Sequence, residues 1–170
     1  KLKMKYYSRN NKTKTISFQE AVIQGLAPDN GLYFPETITP LSTSFFDEIE
    51  NLSNEEIAFE VIKQFVGNEI PDAELKNIIN ETLCFDFPLV SVEENIYSLE
   101  LFHGPTMAFK DVGARFMSRC LGYFNKNNDK QVTVLVATSG DTGGAVASGF
   151  LGVKNLEVII LYPSGKVRDI

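Results

Sequence analysis

The first half of the chain shows the spacing of apolar and polar residues that is typical of short amphipathic helices. Capping-box patterns at residues 17–20 and 53–56 predict two helices, which Gly25 and Gly67 would close. A third helix is expected after Pro71, because proline is tolerated in a first helical turn. Its apolar face would carry Leu75, Ile78, Ile79 and Leu83. We therefore predict a mainly helical N-terminal domain over residues 1–88.

The pattern changes at Leu89, where short runs rich in Val and Ile begin. Residues 89–92 and 96–101 flank a turn and predict a hairpin. A helix over residues 107–125, a strand over 132–137, a helix over 144–151 and a strand over 156–161 follow. Because strands and helices alternate, residues 89–170 are predicted to form the beginning of an open, mostly parallel α/β sheet. Two such strands are too few to complete this sheet, so we expect the chain to be a piece of a longer protein.

The composition of the chain argues against several classes of function. The net charge is -6, with 16 basic and 22 acidic residues in no basic cluster, so nucleic acid is an unexpected partner. A metal site has little support, because the chain contains a single histidine and two cysteines that are far apart, Cys84 and Cys120. Both cysteines lie in apolar segments and are interpreted as buried thiols in a reducing compartment. The apolar runs are too short to span a membrane, and a cytoplasmic protein is expected.

The segment at residues 137–144, ATSGDTGG, lies where a strand is predicted to end and a helix to begin. The amide N–H groups of such a helix start attract anions, glycines allow the ligand to approach the backbone, and three hydroxyls add donors. A carboxylate or phosphate is the ligand that fits. Taken alone, the pattern fits an ordinary tight turn equally well, and it lacks the residues of a dinucleotide or Walker motif.

Lys110 is the second candidate, at the start of the helix predicted over residues 107–125. It lies beside an apolar stripe formed by Phe109, Val112, Phe116, Cys120 and Phe124. One turn away are Thr106, Met107, Gly113 and Ala114, none of them acidic, and the row continues to Met117 and Leu121. Shielding of this kind favours the neutral amine that attacks an aldehyde. From the helix alone, an ordinary lysine with a solvated amine is the simpler interpretation.

Other polar residues of these segments are predicted to have structural roles. Asp111 and Arg115 are four apart and are predicted to form an exposed ion pair. His103 precedes a Gly-Pro turn and is interpreted as a structural hydrogen-bonding residue. A triad of His103, Ser139 and Asp141 is discounted, because Ser139 lacks the G-x-S-x-G turn that exposes a nucleophile.

Two longer motifs indicate a particular protein family. Residues 100–117, ELFHGPTMAFKDVGARFM, and 137–147, ATSGDTGGAVA, closely resemble the two N-terminal signatures of the threonine synthase family. Residues 25–35, GLAPDNGLYFP, resemble a loop of that family's N-terminal domain, and residues 161–166, LYPSGK, fit as well. The resemblance spans essentially the whole chain in the expected order.

The resemblance implies a fold-type-II enzyme that depends on pyridoxal 5'-phosphate (PLP) and converts O-phospho-L-homoserine and water to L-threonine and phosphate. Lys110 would hold the cofactor as a Schiff base and later move protons. The substrate carboxylate would bind the loop of Thr138, Ser139, Gly140 and Thr142. Asp141, which belongs to the same loop, would approach the imine side of the cofactor; related enzymes often carry Asn there, so its role stays open.

The resemblance also implies that the cofactor's phosphate cradle and the partner of its pyridine nitrogen lie beyond Ile170. Residues 1–170 alone are therefore expected to bind PLP weakly and to be inactive. Three alternatives stay open: a phospholyase acting on another phosphorylated amino alcohol, a serine/threonine dehydratase, and a non-enzymatic anion-binding interaction module.

Overall fold

The structure is a computed structural model that describes residues 4–127 and 131–165. Lys166, the last residue of the 161–166 motif, therefore lies outside the described residues. Contacts divide the chain into two compact units, one up to Asn80 and one from Glu81. The domain boundary that the sequence places at residue 88 stays a prediction.

The first unit contains a small antiparallel sheet that was not predicted from the sequence. Its strands are β1 (Tyr6–Ser8), β2 (Thr15–Ile16) and β3 (Tyr33–Pro35), in the order β2-β1-β3. Strands of two or three residues are too short to show an alternating pattern, which explains why periodicity did not reveal them. The loop predicted over residues 25–35 thus ends as a strand paired with β1.

The helical predictions for this unit are confirmed. The helices are α1 (Phe18–Gln24), α2 (Thr43–Glu48), a short 3-10 helix (Ile49–Asn51), α3 (Asn54–Val66) and α4 (Asp72–Thr82). Ser17 and Ser53 form complete capping boxes with Glu20 and Glu56, and glycines follow α1 and α3 as expected. Helix α2 was not predicted.

Apolar residues of the helices form the core of the first unit. Those less than a tenth exposed include Phe18, Phe59, Val66, Leu75, Ile78 and Ile79, and Ile70 from the loop between α3 and α4 is buried with them. The apolar face predicted for α4 is therefore buried at three of its four positions, while Leu83 follows the helix and is half-buried. No helix in the described ranges is both long and apolar enough to cross a membrane.

The second unit is a mixed α/β arrangement. Its elements are β4 (Leu89–Glu93), β5 (Ile96–Leu99), α5 (Lys110–Asn125), β6 (Val132–Ala137), α6 (Asp141–Phe150) and β7 (Leu156–Leu161). The predicted hairpin is confirmed as the antiparallel pair β4-β5. Strands β6 and β7 begin and end at the predicted residues. They pair in parallel, and α6 connects them. Helix α6 contacts β6, β7 and α5.

The buried face of α5 differs from the predicted one. Of the apolar stripe Phe109, Val112, Phe116, Cys120 and Phe124, only Cys120 is buried in the described structure, and Phe109 is 62% exposed. The buried residues are Asp111, Ser118, Cys120, Leu121 and Asn125. The three polar ones are buried because each has a hydrogen-bond partner. Ser118 Oγ donates to the Gly149 carbonyl at 2.7 Å, and Asn125 Nδ2 donates to the Asn155 carbonyl at 3.2 Å.

Glycine is needed where α5 and α6 meet. A Cβ on Gly149 would lie 3.1 Å from the carbonyl carbon of Ala114 and 3.2 Å from the backbone nitrogen of Arg115. Because backbone atoms cannot rotate away, this crossing depends on the missing side chain. The two helices therefore approach more closely than larger residues would allow.

Candidate functional site

An apolar groove of about 600 Å³ lies in the second unit, between α5, α6 and β6. Its walls are mainly aliphatic and aromatic, and two polar side chains, those of Lys110 and Thr142, also line it. The lining residues are Phe109, Lys110, Gly113, Ala114, Met117, Val134, Leu135, Val136, Thr142, Ala145, Val146 and Phe150. A groove with apolar walls and few polar groups is typical of a small-molecule site.

Lys110 begins α5 and is half-buried. Its Nζ lies 4.6 Å from the centre of the Phe109 ring, a cation–π distance. The small and apolar residues predicted to shield it, Gly113, Ala114 and Met117, line the same groove. Within the described ranges no carboxylate lies within ion-pair distance of Nζ. The amine is thus placed in an apolar setting instead of a surface ion pair.

The predicted ion pair between Asp111 and Arg115 is wrong. Asp111 is 0% exposed, and its two carboxylate oxygens accept hydrogen bonds from Thr106, one from Oγ1 at 2.7 Å and one from the backbone N–H at 3.0 Å. Arg115 instead donates from Nη2 to the Glu81 carbonyl at 2.6 Å and to Cys84 Sγ at 3.2 Å. Asp111 does not pair with Arg115, because both of its oxygens bind the turn that precedes the helix.

The loop between β6 and α6 forms the second part of the site. Helix α6 begins at Asp141, and among the described residues no side chain caps its first turn. The amide N–H groups of an uncapped helix start are available to an anion. Thr138 Oγ1 accepts a hydrogen bond from the Gly140 N–H at 3.2 Å, so this hydroxyl shapes the loop. Gly143 also packs closely against the Thr138 side chain, where a Cβ would lie 2.6 Å from Cγ2.

The structure brings part of the predicted site together. Lys110 and Thr142 line one groove. Ser139, Gly140 and Asp141 are exposed at the start of α6, next in sequence to Thr142 but not part of the groove lining. The roles predicted for these residues and for Thr138 stay predictions.

His103 and the cysteines lie outside the groove. His103 Nε2 lies 2.7 Å from Glu100 Oε2, in agreement with a structural hydrogen-bonding role. Cys120 is buried as predicted, and burial raises the pKa of its thiol to about 12. The prediction for Cys84 was wrong: it is exposed, because it follows the end of α4 instead of lying inside an element.

Several residues of the site gave no clear sequence signal. The strand residues Val134 and Val136 and the helix residue Phe150 form groove walls, but in sequence they read only as core residues. The contact between Thr106 and Asp111 joins residues five apart, a spacing that matches no helix-face rule. A hydroxyl shortly before an acidic residue in the first turn of a helix was the available hint.

The second unit is thus a mixed α/β arrangement in which an amine lines an apolar groove near a helix start that has no side-chain cap among the described residues. Residues 5–83 match the family model described as threonine synthase N terminus. Among curated proteins, the chain is 44% identical over 167 residues to the threonine synthase of Haemophilus influenzae and 42% identical over 182 residues to that of Saccharomyces cerevisiae. These alignments cover 98% and 96% of this chain, and 38% and 35% of the relatives.

Solved structures agree. The threonine synthase of Escherichia coli superimposes with a TM-score of 0.89 at 43% identity, over 96% of this chain and 38% of that one. A PLP-bound threonine synthase from Brucella melitensis gives a TM-score of 0.88 at 37% identity, over 97% of this chain and 37% of that one. Over almost its whole length the chain is therefore similar to one part of threonine synthases, and its residues 5–83 match their N-terminal region. It spans about two fifths of the length of the relatives that it matches.

Proposed function

We propose that the complete protein is a threonine synthase, a PLP-dependent lyase that converts O-phospho-L-homoserine and water to L-threonine and phosphate. The observation that supports this most directly is the groove lined by both Lys110 and Thr142, in a chain that aligns almost end to end with threonine synthases. We also propose that the second unit begins the mostly parallel sheet of a fold-type-II enzyme, and that the protein is cytoplasmic.

The described residues fit the cofactor. PLP is a flat aromatic aldehyde, and the groove offers apolar walls with one amine. When bound, PLP acts as an electron sink that stabilises negative charge on carbons of the substrate. In the proposal Lys110 provides the amine that anchors the aldehyde, and its Nζ then carries protons to and from the substrate. The small and apolar residues Gly113, Ala114 and Met117 line the groove beside this amine and leave room for a flat ring.

The loop before α6 has the second role. In the proposal the α-carboxylate of the substrate binds at the uncapped start of α6, where backbone N–H groups and the helix dipole favour a negative charge. Thr142 supplies a hydroxyl at the edge of the groove, Ser139 and Gly140 supply further donors, and Thr138 keeps the loop in shape. Asp141 is exposed beside these groups and is proposed to lie near the cofactor.

The test uses the complete enzyme. Borohydride reduction followed by peptide mapping is expected to place the cofactor on Lys110, and the unsubstituted enzyme is expected to release threonine and phosphate from O-phosphohomoserine. Lys110→Ala should abolish both. Lys126→Ala is the matched control, because Lys126 also stacks on an aromatic ring, 4.2 Å from the Tyr123 centroid, near the other end of α5.

Each outcome has a defined meaning. A 2-oxo acid as product would identify a dehydratase, and phosphate release from a different phosphorylated amino alcohol would identify another phospholyase. If no cofactor is trapped and no product forms from any of these substrates, the result favours the interaction-module alternative. Undiminished threonine formation by Lys110→Ala would refute the proposal.

A further inference from the structure

The turn that leads into Lys110 has an unusual backbone. Met107 has a φ of 55°, in the left-handed region that non-glycine residues seldom adopt. Its side chain is 77% exposed in the described structure, so burial there does not compensate for the strain. Strained residues of this kind persist only where surrounding contacts fix the backbone, and they are common near functional sites.

Asp111 makes these contacts. Its carboxylate accepts hydrogen bonds from both Oγ1 and N of Thr106, at 2.7 and 3.0 Å, and its side chain is fully buried. Gly104 lies against it so closely that a Cβ there would be 2.5 Å from Oδ2. The Met107 N–H completes the turn by donating to the Gly104 carbonyl at 3.0 Å. The carboxylate thus joins the first turn of α5 to the segment before it.

Lys110 lies inside this closed loop. The strained turn precedes Lys110 in the chain and Asp111 follows it. The hydrogen bonds between Asp111 and Thr106 therefore fix the backbone on both sides of the lysine. On a helix, successive side chains point about 100° apart, so Asp111 is buried on one face while Lys110 lines the groove on another. Asp111 therefore restrains the lysine through the backbone.

We propose that Asp111 is a positioning residue for Lys110: its two hydrogen bonds to Thr106 hold the lysine's backbone so that the amine meets the cofactor aldehyde in a reactive geometry. This inference rests on the proposed function. Small displacements of a reacting group reduce rates strongly, because proximity and orientation account for much of catalysis. The carboxylate acts here through hydrogen bonds, not as a charge beside the amine.

The experiment measures how fast Lys110 captures the cofactor in the complete apoenzyme after PLP is added, followed by the absorbance of the bound cofactor. Thr106→Val keeps the size of the side chain and the charge of Asp111 but removes the hydroxyl, whereas Thr106→Ser keeps the hydroxyl. We expect capture to slow about tenfold or more in Thr106→Val and Asp111→Asn, because each loses a hydrogen bond that involves a charged acceptor. Thr106→Ser should capture PLP at nearly the original rate.

Asp72→Asn is the matched control, since Asp72 is an acidic residue in the first turn of α4 that is exposed and bound to Lys63 at 3.6 Å. Its capture rate should not change. Exchange of the Thr106 amide hydrogen, measured without cofactor, should rise in Asp111→Asn and not in the control.

Two results would overturn the inference: equal capture rates for Thr106→Val and the unsubstituted protein, or equally slow capture by the Ser and Val variants. Failure of the proposed function is distinguishable, because then no adduct maps to Lys110 even in the unsubstituted enzyme. If the adduct maps to Lys110 at the same rate in every variant, only the positioning role is refuted.

Discussion

Ser118 links α5 to α6 and offers a direct measure of how firmly the two helices are joined. Its Oγ is 0% exposed and donates to the Gly149 carbonyl at 2.7 Å, while Arg119 Nη1 donates to the same carbonyl at 2.7 Å. Ser118→Ala removes the hydroxyl and leaves the carbonyl with one partner. Ser118 Oγ also accepts a hydrogen bond from Arg119 Nη1 at 2.9 Å, but Arg119 and the Gly149 carbonyl keep each other as partners in the variant. The main cost is therefore that of the buried hydrogen bond donated by Ser118, about 1 to 1.5 kcal/mol, without the larger penalty of an unpaired acceptor.

Alanine also favours the helix by roughly 0.5 kcal/mol relative to serine, so the expected net loss in free energy of unfolding is about 0.5 to 1 kcal/mol. Ser148→Ala is the control, because it makes the same change in α6 at a residue that is only partly buried. With no buried hydrogen bond involved, this variant should be neutral or slightly stabilising.

Hydrogen exchange of the α6 amides in the complete enzyme is a suitable assay, because it reports local opening. We expect α6 amides to exchange about two to five times faster in Ser118→Ala, the factor that 0.5 to 1 kcal/mol produces. Equal protection in Ser118→Ala and Ser148→Ala would refute the argument that this hydrogen bond holds the helices together.

Three further predictions follow from the structure. Alkylation of the native enzyme near pH 8 should label exposed Cys84 much faster than Cys120, whose thiol pKa burial raises to about 12; equal labelling, mapped by mass spectrometry, would contradict this. The hydrogen bond that Asp29 accepts from Ser8 lowers the pKa of Asp29 in the folded state. Ionised Asp29 therefore stabilises the fold at pH values above its pKa in the unfolded state, and this stabilisation is lost as the pH falls through its pKa in the folded state. Ser8→Ala should raise the pKa of Asp29 in an NMR titration, and an unchanged value would exclude this cause. Residues 1–170 alone should form no threonine from O-phosphohomoserine, and measurable turnover would show that the groove is sufficient.

The sequence was informative where one local rule decides the structure. Strands β6 and β7 were predicted to the residue, because short runs of β-branched residues between turn signals have few other solutions. The starts of α1 and α3 followed from their capping boxes. Helix α5 began three residues later than predicted, because the segment before Lys110 forms a strained turn that no pattern of apolar residues indicates.

The buried face of α5 could not be predicted, because the rule that apolar residues lie inside ignores hydrogen bonds. Asp111, Ser118 and Asn125 are each seven apart and look like a solvated face. Their partners are Thr106, a carbonyl of α6 and the carbonyl of Asn155, all contributed by other segments. In the same way, a lysine and a threonine 32 positions apart line one groove only because α5 and α6 pack together.

A helix that packs through polar groups is fixed in its position along its own axis. Apolar contacts vary smoothly as one helix slides over another, but a shift of one turn, about 5.4 Å, would separate Ser118 and Asn125 from the carbonyls of Gly149 and Asn155 at once. Each separated group would have to remain buried without a partner, and that cost makes neighbouring positions of the helix inaccessible. The position of Lys110 along the groove is therefore fixed by these hydrogen bonds and cannot shift gradually.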